Sequence, residues 1–393
     1  MASTNTRYHP VYATMGMTIF EEMSGLARAL GAINLGQGFP DDQGPAELRA
    51  AAARALEDRS NQYPPMAGVP ELRAEVAAFY RRRQALELTP AQIIITSGAT
   101  EALAAAILAI IREGDEVIIF APSYDAYAPL IRRAGGTPVA IALSPPDWRY
   151  DQAQIEAAIT PHTRALILND PLNPTGSIAD GNALGVLADI CVRHDLIAIC
   201  DEVWEHVRFD GVPHRSLLSM PGMAERTVKI GSAGKIFGVT GWKIGWMCAA
   251  PDLAAILSRA HQFLTFTAPP ALQYAVAEGL ARDDLADARL ASWAQGRTRL
   301  LDGLAAAGFV TLPNVATWFA CVDLAASGLA MDDRTFAHRA LHEAGVATIP
   351  VSAFFEGEAP STIVRLCHCK GDDMIDEAVA RLARFRQIAA TIR

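Results

Sequence analysis

The chain has 393 residues, 51% of them hydrophobic, enough for a large core and, by length, for two domains or one large domain with a satellite. A formal net charge of -9 without a basic block argues against nucleic acid and anionic membrane as partners. The polar start 1–10 lacks a signal-peptide core, and the Ala-rich run 102–111 is too short to cross a bilayer, so a cytoplasmic protein is expected.

After forty-odd residues of irregular pattern, short β-rich runs alternate with helical ones. Strands are expected at 93–96, 117–120, 138–141, 165–169, 196–200, 227–231 and 243–249, with helices such as 101–111 and 183–193 between them. Most of these strands are near-continuously apolar, as strands covered on both faces are. The alternation predicts an α/β fold with a doubly wound, mostly parallel seven-stranded sheet. Beyond about Ser292 the pattern changes to helix 293–307, strand 318–323, helix 334–344, strand 364–369 and helix 375–388, a smaller α+β domain. The expected division is an N-terminal segment 1-45 packing with the small domain, a large domain 46-290 and a small C-terminal domain 291-393. The helix through Gln295 and Arg299 is placed to bridge both parts. Arg81-Arg82-Arg83 reads as the solvated face of a helix. The six cysteines are scattered, mostly through apolar runs, which fits reduced, buried thiols rather than a disulfide framework. Cys367-His368-Cys369 has the wrong spacing for a zinc knuckle and alternates like a strand, so no metal is expected there.

In an open α/β sheet, ligands gather at the carboxyl ends of the strands. After 93–96 comes Ser97-Gly98-Ala99-Thr100, which opens a helix at Glu101. Small residues and free N–H groups at a helix N-terminus make an anion site, although the same residues also make a plain capped turn. After 165–169 comes Asp170-Pro171-Leu172-Asn173-Pro174-Thr175-Gly176, a loop whose turn does not itself require Asn173. After 196–200 comes Asp201-Glu202-Val203-Trp204, and a carboxylate there is costly to bury without a cation. After 227–231 comes Ser232-Ala233-Gly234-Lys235, a lysine among small residues. An anion cradle, an amide, a carboxylate and a lysine at one sheet edge form the set that pyridoxal 5'-phosphate demands of a protein.

Read in order, these motifs resemble class I aminotransferases of fold type I, the fold of a large family of pyridoxal-phosphate-dependent transferases. Within them the chain is most similar to the kynurenine, glutamine and methionine aminotransferase-like group. The resemblance covers essentially the whole chain. It includes Asn34-Leu35-Gly36-Gln37-Gly38-Phe39-Pro40, Asn61-Gln62-Tyr63, Gly68-Val69-Pro70-Glu71-Leu72-Arg73, Thr96 to Ala102, Asn173-Pro174-Thr175-Gly176, Asp201-Glu202-Val203, Ser232-Ala233-Gly234-Lys235, Gly241-Trp242-Lys243-Ile244-Gly245 and Arg365-Leu366-Cys367. No single motif is decisive; their order and joint presence are specific.

The resemblance implies roles. Lys235 would hold the cofactor covalently and later shuttle the substrate proton. Asp201 would keep the pyridine nitrogen protonated, Asn173 would bond the phenolic oxygen, and Tyr124 would stack on the ring. Ala99, Thr100, Ser232 and Lys243 would hold the phosphate, helped by Tyr63 from a second subunit, which implies a homodimer. Arg365 would clamp the substrate α-carboxylate, with Gly38 and Asn173 assisting. Core packing explains Tyr124 equally well, and Lys243 stands where the broader class has arginine. Trp204 departs further, standing where the family usually has a tyrosine whose hydroxyl reaches the cofactor. Its indole can donate one hydrogen bond but cannot accept one. It is therefore expected to tune the lysine linkage, or else to turn away and pack.

The expected reaction moves an amino group between a neutral or aromatic L-amino acid and a 2-oxo acid. No second arginine is placed to read a distal carboxylate, and Phe20, Phe39, Phe354 and Phe355 flank the matching segments. A C–S β-lyase on the same fold stays open as an alternative. A cofactor-binding regulator would need a DNA-binding domain, and Gly36 to Pro40 is not a dinucleotide fingerprint.

Overall fold

The computed structural model describes residues 7–391. The expected strands are all present. They are β1 (Ile93–Ser97), β2 (Glu116–Ala121), β3 (Thr137–Ala142), β4 (Thr163–Asn169), β5 (Ile197–Asp201), β6 (Thr227–Ser232) and β7 (Ile244–Cys248). They form one sheet in the order β1-β7-β6-β5-β4-β2-β3, in which β7 alone runs antiparallel to its neighbours. β6 and β7 are buried along their whole length, because helices cover both faces. One cover contains the helix Gly98–Ile110 and Pro251–Leu264; another contains Pro70–Gln84 and Pro270–Leu280.

Register decides where the chemistry falls. Asn169 pairs with Asp201 across β4 and β5, and Ser232 pairs with Gly245 across β6 and β7. The carboxyl ends of three parallel strands therefore deliver an amide, a carboxylate and the serine before Lys235 to adjacent points. A Cβ on Gly245 would stand 2.7 Å from the Gly98 carbonyl carbon and 2.9 Å from the Ala99 nitrogen. Only glycine lets β7 pass that close beneath the helix entrance.

The C-terminal part adds β8 (Val310–Thr311), β9 (Phe319–Asp323), β10 (Ile349–Pro350) and β11 (Ile363–Cys367). These form an antiparallel sheet in the order β10-β11-β9-β8. Arg365 lies on β11, opposite Cys321 on one side and Ile349 on the other. The N-terminal helix Ile19–Leu30 buries Met23 and Ala27 against Leu341, Ile349 and Phe354. Ile33–Asn34 then pairs in parallel with Val346–Ala347. One helix, Asp283–Ala306, runs unbroken across residue 290. The expected spans 1-45 and 291-393 include residues 1–6 and 392–393, which lie outside the described residues.

Two expectations need correction. The strand expected through Cys369 stops at Cys367, because its partner β9 begins at Phe319, opposite Cys367. His368 then turns its Nε2 to the Thr317 carbonyl at 3.1 Å. The arginine run is also not a free face. Arg81 and Arg82 are exposed, as expected, but Arg82 also donates to the Leu280 carbonyl at 2.6 Å, and the half-buried Arg83 pairs with Asp287 at 3.0 Å. These bonds tie the helix Pro70–Gln84 to the turn that starts Asp283–Ala306. All six cysteines are buried and free, and no helix among the described residues is long and apolar enough to cross a membrane.

A polar cluster that went unread in the sequence sits beside β5 and β6. Lys229, fully buried in mid-strand, donates to both Glu202 and Glu205 and lies 4.6 Å from the Tyr80 ring centroid. Ser216 Oγ donates to Glu202 at 2.7 Å, and Tyr80 Oη donates to Glu205 at 2.8 Å. Glu202 follows Asp201 directly, so this cluster anchors the turn that carries the site carboxylate. Replacing Lys229 by methionine leaves two buried carboxylates without a cation. Lys229→Met should cost about 3–5 kcal/mol of stability, read as a lowered midpoint of urea unfolding.

Candidate active site

A cavity of about 230 Å³ opens at the carboxyl edge of the sheet, lined by Ala99, Thr100, Tyr124, Asn173, Asp201, Trp204, Ser232, Lys235 and Lys243 among others. Nine of the twelve expected site residues thus meet in one place.

The anion cradle is built from three pieces. Gly98, at φ +71°, turns the chain into the helix Gly98–Ile110, leaving the first-turn N–H groups of Ala99 and Thr100 facing the cavity edge. Ser232 and Thr240 line it from the next loops. Lys243 brings its Nζ within 3.2 Å of where a Cβ on Gly98 would stand. The helix entrance is braced by Glu101, whose Oε2 accepts from the Ser97 N–H at 3.0 Å. Its Oε1 lies 2.9 Å from His261 Nδ1, and His261 Nε2 lies 3.0 Å from the Met66 carbonyl. Both ring nitrogens face acceptors, so His261 satisfies both contacts only as an imidazolium beside a carboxylate. Burial pushes its pKa down, but the bond to Glu101 and the Glu101 charge push it up further, and the net direction is upward.

Asp201 is buried, and Tyr127 Oη donates to its Oδ2 at 2.7 Å. Its Oδ1 has no hydrogen-bond partner among the described residues. Burial raises the Asp201 pKa, against the bonds from Tyr127 and the Val203 N–H. An orphaned carboxylate oxygen beside a phosphate-type cradle fits a protonated pyridine nitrogen. Asn169 ties the neighbouring strand ends: its Nδ2 donates to the Asp201 carbonyl at 2.9 Å, and its Oδ1 accepts from the Asn173 N–H at 2.9 Å. Gly176 closes that loop at φ +72°, where a Cβ would stand 2.0 Å from Asn314 Nδ2. Tyr124 lines the cavity, its ring edge-on to that of Tyr127 at 5.6 Å.

Lys235 sits on the short helix Ala233–Phe237. Burial lowers its pKa to about 8. Trp204 both lines the cavity and packs. Its ring stands 4.9 Å from Trp318 and 5.4 Å from Phe319, edge to face.

Arg365, Gly38 and Tyr63 do not line this cavity. Arg365 is buried beside it, donating from Nη1 to Asn173 Oδ1 at 3.0 Å and from Nη2 to the Gly36 carbonyl. Its Nε has no partner, and no carboxylate pairs with it among the described residues. Phe319, Phe20 and Phe354 surround the guanidinium at 3.9, 5.2 and 5.2 Å. Burial lowers its pKa to about 10, which still leaves it charged at neutral pH. A Cβ on Gly38 would fall 2.3 Å from the Phe319 ring, so this glycine lets the ring lie close. Tyr63 is 83% exposed and packs its ring on Phe266, away from its own cavity. Sequence reading passed over Tyr127, Asn169, Thr240 and His261. Tyr127 opens the helix Tyr127–Arg133 three residues after the loop residue Tyr124, and no linear pattern marked it.

A family model for class I and II aminotransferases matches residues 31–382. The chain belongs to that family, it is an aminotransferase, and its fold is the expected fold type I arrangement. Three relatives are similar over nearly their whole length. A probable N-succinyldiaminopimelate aminotransferase of Mycobacterium tuberculosis is 42% identical, covering 99% of this chain and 100% of the relative. Methionine aminotransferase of Escherichia coli is 38% identical, covering 94% and 96%. Kynurenine–oxoglutarate transaminase of Dictyostelium discoideum is 33% identical, covering 95% of each. The solved structure of N-succinyldiaminopimelate aminotransferase from Mycobacterium tuberculosis superposes with a TM-score of 0.92 at 40% identity, covering 96% of this chain and 99% of that one.

The His261 brace has a pH signature. A pKa raised on folding contributes stability that is complete below the ordinary imidazole value of about 6.5 and is lost as pH rises through the native value. The stability difference between wild type and His261→Gln, from urea unfolding, should therefore be largest near about pH 6 and shrink under alkaline conditions.

Proposed function

We propose that this aminotransferase works with pyridoxal 5'-phosphate and exchanges amino groups between neutral, bulky or aromatic L-amino acids and a 2-oxo acid. The observation that carries the reading is the convergence on one cavity of Lys235, the orphaned Oδ1 of Asp201 and the cradle at the helix entrance. When bound, the cofactor supplies an electron sink that allows a Cα–H bond to break. Ala99, Thr100, Ser232 and Lys243 would hold its phosphate, Asn173 its phenolic oxygen and Tyr124 one ring face.

Asp201 Oδ1 would accept from the pyridine N–H, and the Tyr127 hydroxyl on Oδ2 fixes the carboxylate's orientation. Lys235 would hold the cofactor, and its free Nζ would be the base that takes the proton from the substrate Cα. A lysine whose pKa burial has lowered offers a larger neutral fraction at physiological pH. Arg365 receives the α-carboxylate, because a buried guanidinium without an anion is costly and a carboxylate relieves that cost. Gly38 serves that site through the Phe319 ring it admits.

Side-chain preference follows from the walls. The guanidinium is enclosed by Phe20, Phe319 and Phe354, which suits apolar and aromatic groups. The Escherichia coli and Dictyostelium relatives are named for methionine and kynurenine. A second reading rests on the 42% identical relative, which is named for N-succinyldiaminopimelate, an acylated amino diacid.

Tyr63 supports a homodimer. It is exposed near the likewise exposed Phe266, and reaches a phosphate only if a second copy presents its cradle. Buried, free cysteines fit a reducing cytoplasm.

The test is the absorption spectrum of the protein with pyridoxal 5'-phosphate, before and after single amino acids without any oxo acid. A visible band that converts to the shorter-wavelength pyridoxamine form establishes the half-reaction, and the fastest amino acid names the class. N-succinyldiaminopimelate converting fastest selects the second reading. A band that persists while pyruvate and ammonia accumulate replaces transfer by β-elimination. Lys235→Ala should lose both the band and turnover. Arg365→Ala should raise KM for the amino acid roughly 30- to 140-fold, from about 2–3 kcal/mol of lost charge-assisted bonding.

A further inference from the structure

Lys235 is a half-buried lysine that lines the cavity and faces two aromatic rings. Its Nζ lies 4.6 Å from the centroid of Trp204 and 5.0 Å from that of Trp318. The two indoles stand at 80° with centroids 4.9 Å apart, so they form the two walls of a corner. Trp293 backs Trp318 at 5.0 Å, and Phe319 backs Trp204 at 5.4 Å. All three tryptophans are at most 3% exposed, so the corner is held in place by packing. The titratable groups that face the amine are Asp201, Cys367, Cys369 and Arg365.

Packing alone does not explain a tryptophan at 318. Its Nε1 is buried without a hydrogen-bond partner among the described residues. An unsatisfied indole N–H is a standing penalty that a phenylalanine would avoid. What an indole offers in return is the strongest π face available to a cation. The same property accounts for Trp204, where the resembled family has tyrosine: here the side chain meets the lysine with its ring face.

We propose that Trp204 and Trp318 form an aromatic seat for the Lys235 ammonium, which makes Trp318 a positioning residue of this enzyme. The inference rests on the reading of Lys235 as the reactive amine. A neutral amine gains little from a π face, whereas an ammonium is attracted to both. The seat therefore opposes the effect of burial and keeps the proton-carrying lysine at the cavity wall. Such contacts shift an amine's titration upward by roughly 0.4–1.5 pH units.

The experiment uses the cofactor-free protein. The rate of Lys235 acetylation by acetic anhydride is followed against pH by mass spectrometry of its peptide, giving the amine's midpoint. Protein is prepared with ordinary tryptophan and with mono- and difluorinated tryptophans, which weaken the π face with little change of shape. The midpoint should fall with each fluorine, and the slope of that fall should shrink in Trp318→Phe. If that variant does not fold, Trp204→Phe serves instead, and a slope that persists there is carried by Trp318. A flat fluorination series overturns the seat. A slope unchanged by Trp318→Phe, or abolished by Trp204→Phe alone, overturns the role of Trp318. These readings need no cofactor. Absence of the absorption band described above would instead overturn the functional reading and leave the seat standing.

Discussion

Charge held in a low-dielectric site without an opposite charge beside it is what the rest of this structure serves. Arg365 is a buried cation and Lys235 a half-buried one, neither in an ion pair among the described residues, and Asp201 keeps one carboxylate oxygen unpaired. Left alone, each would shift its pKa or draw in water. The large sheet makes the arrangement around Asp201 tolerable by fixing it from more than one element. Asn169 binds the backbone of both the Asp201 strand and the Asn173 loop. Tyr127 occupies one Asp201 oxygen and leaves the other available. Removing the opposite charges is what leaves room for a substrate and a cofactor to supply them.

The neighbouring cluster around Lys229 shows the contrasting solution. There a buried lysine is matched by Glu202 and Glu205, with hydroxyls on both carboxylates, and the result is an anchor with no vacancy. Three carboxylate-bearing residues, Glu202, Glu205 and His214's neighbour Asp170, crowd this side of the strand ends, yet the lysine bridge holds it rigid. Asp201 and Glu202 are consecutive residues. Alternation along the backbone sends the first toward the cavity and the second into the anchor.

Most of this could be read in the sequence because period and punctuation are local properties. The apolar runs located seven strands to within a few residues, the loops after four of them named seven cavity residues, and the family resemblance added Tyr124 and Lys243. What escaped depended on contacts between distant segments. His261 meets Glu101 across 160 positions, and Tyr80 meets Glu205 across 125. Neither pair has a spacing that a linear pattern could reveal. Arg82 and Arg83 looked like a solvated face for the same reason: their partners belong to a turn 200 residues further on. Cys369 failed as a strand residue because strand length is set by the partner, which the sequence of β11 does not contain.

The tryptophan row carries a further consequence, an optical one. Trp204, Trp318 and Trp293 are three of the chain's six tryptophans, and they stand in contact beginning at the cavity wall. Half of the indole emitters are therefore gathered in one contact row whose first member, Trp204, lines this small volume. Any absorbing molecule that enters it quenches them through short-range energy transfer. The intrinsic fluorescence of this protein is accordingly a gauge of occupancy at one site, installed by the ring that walls it and the two packed behind.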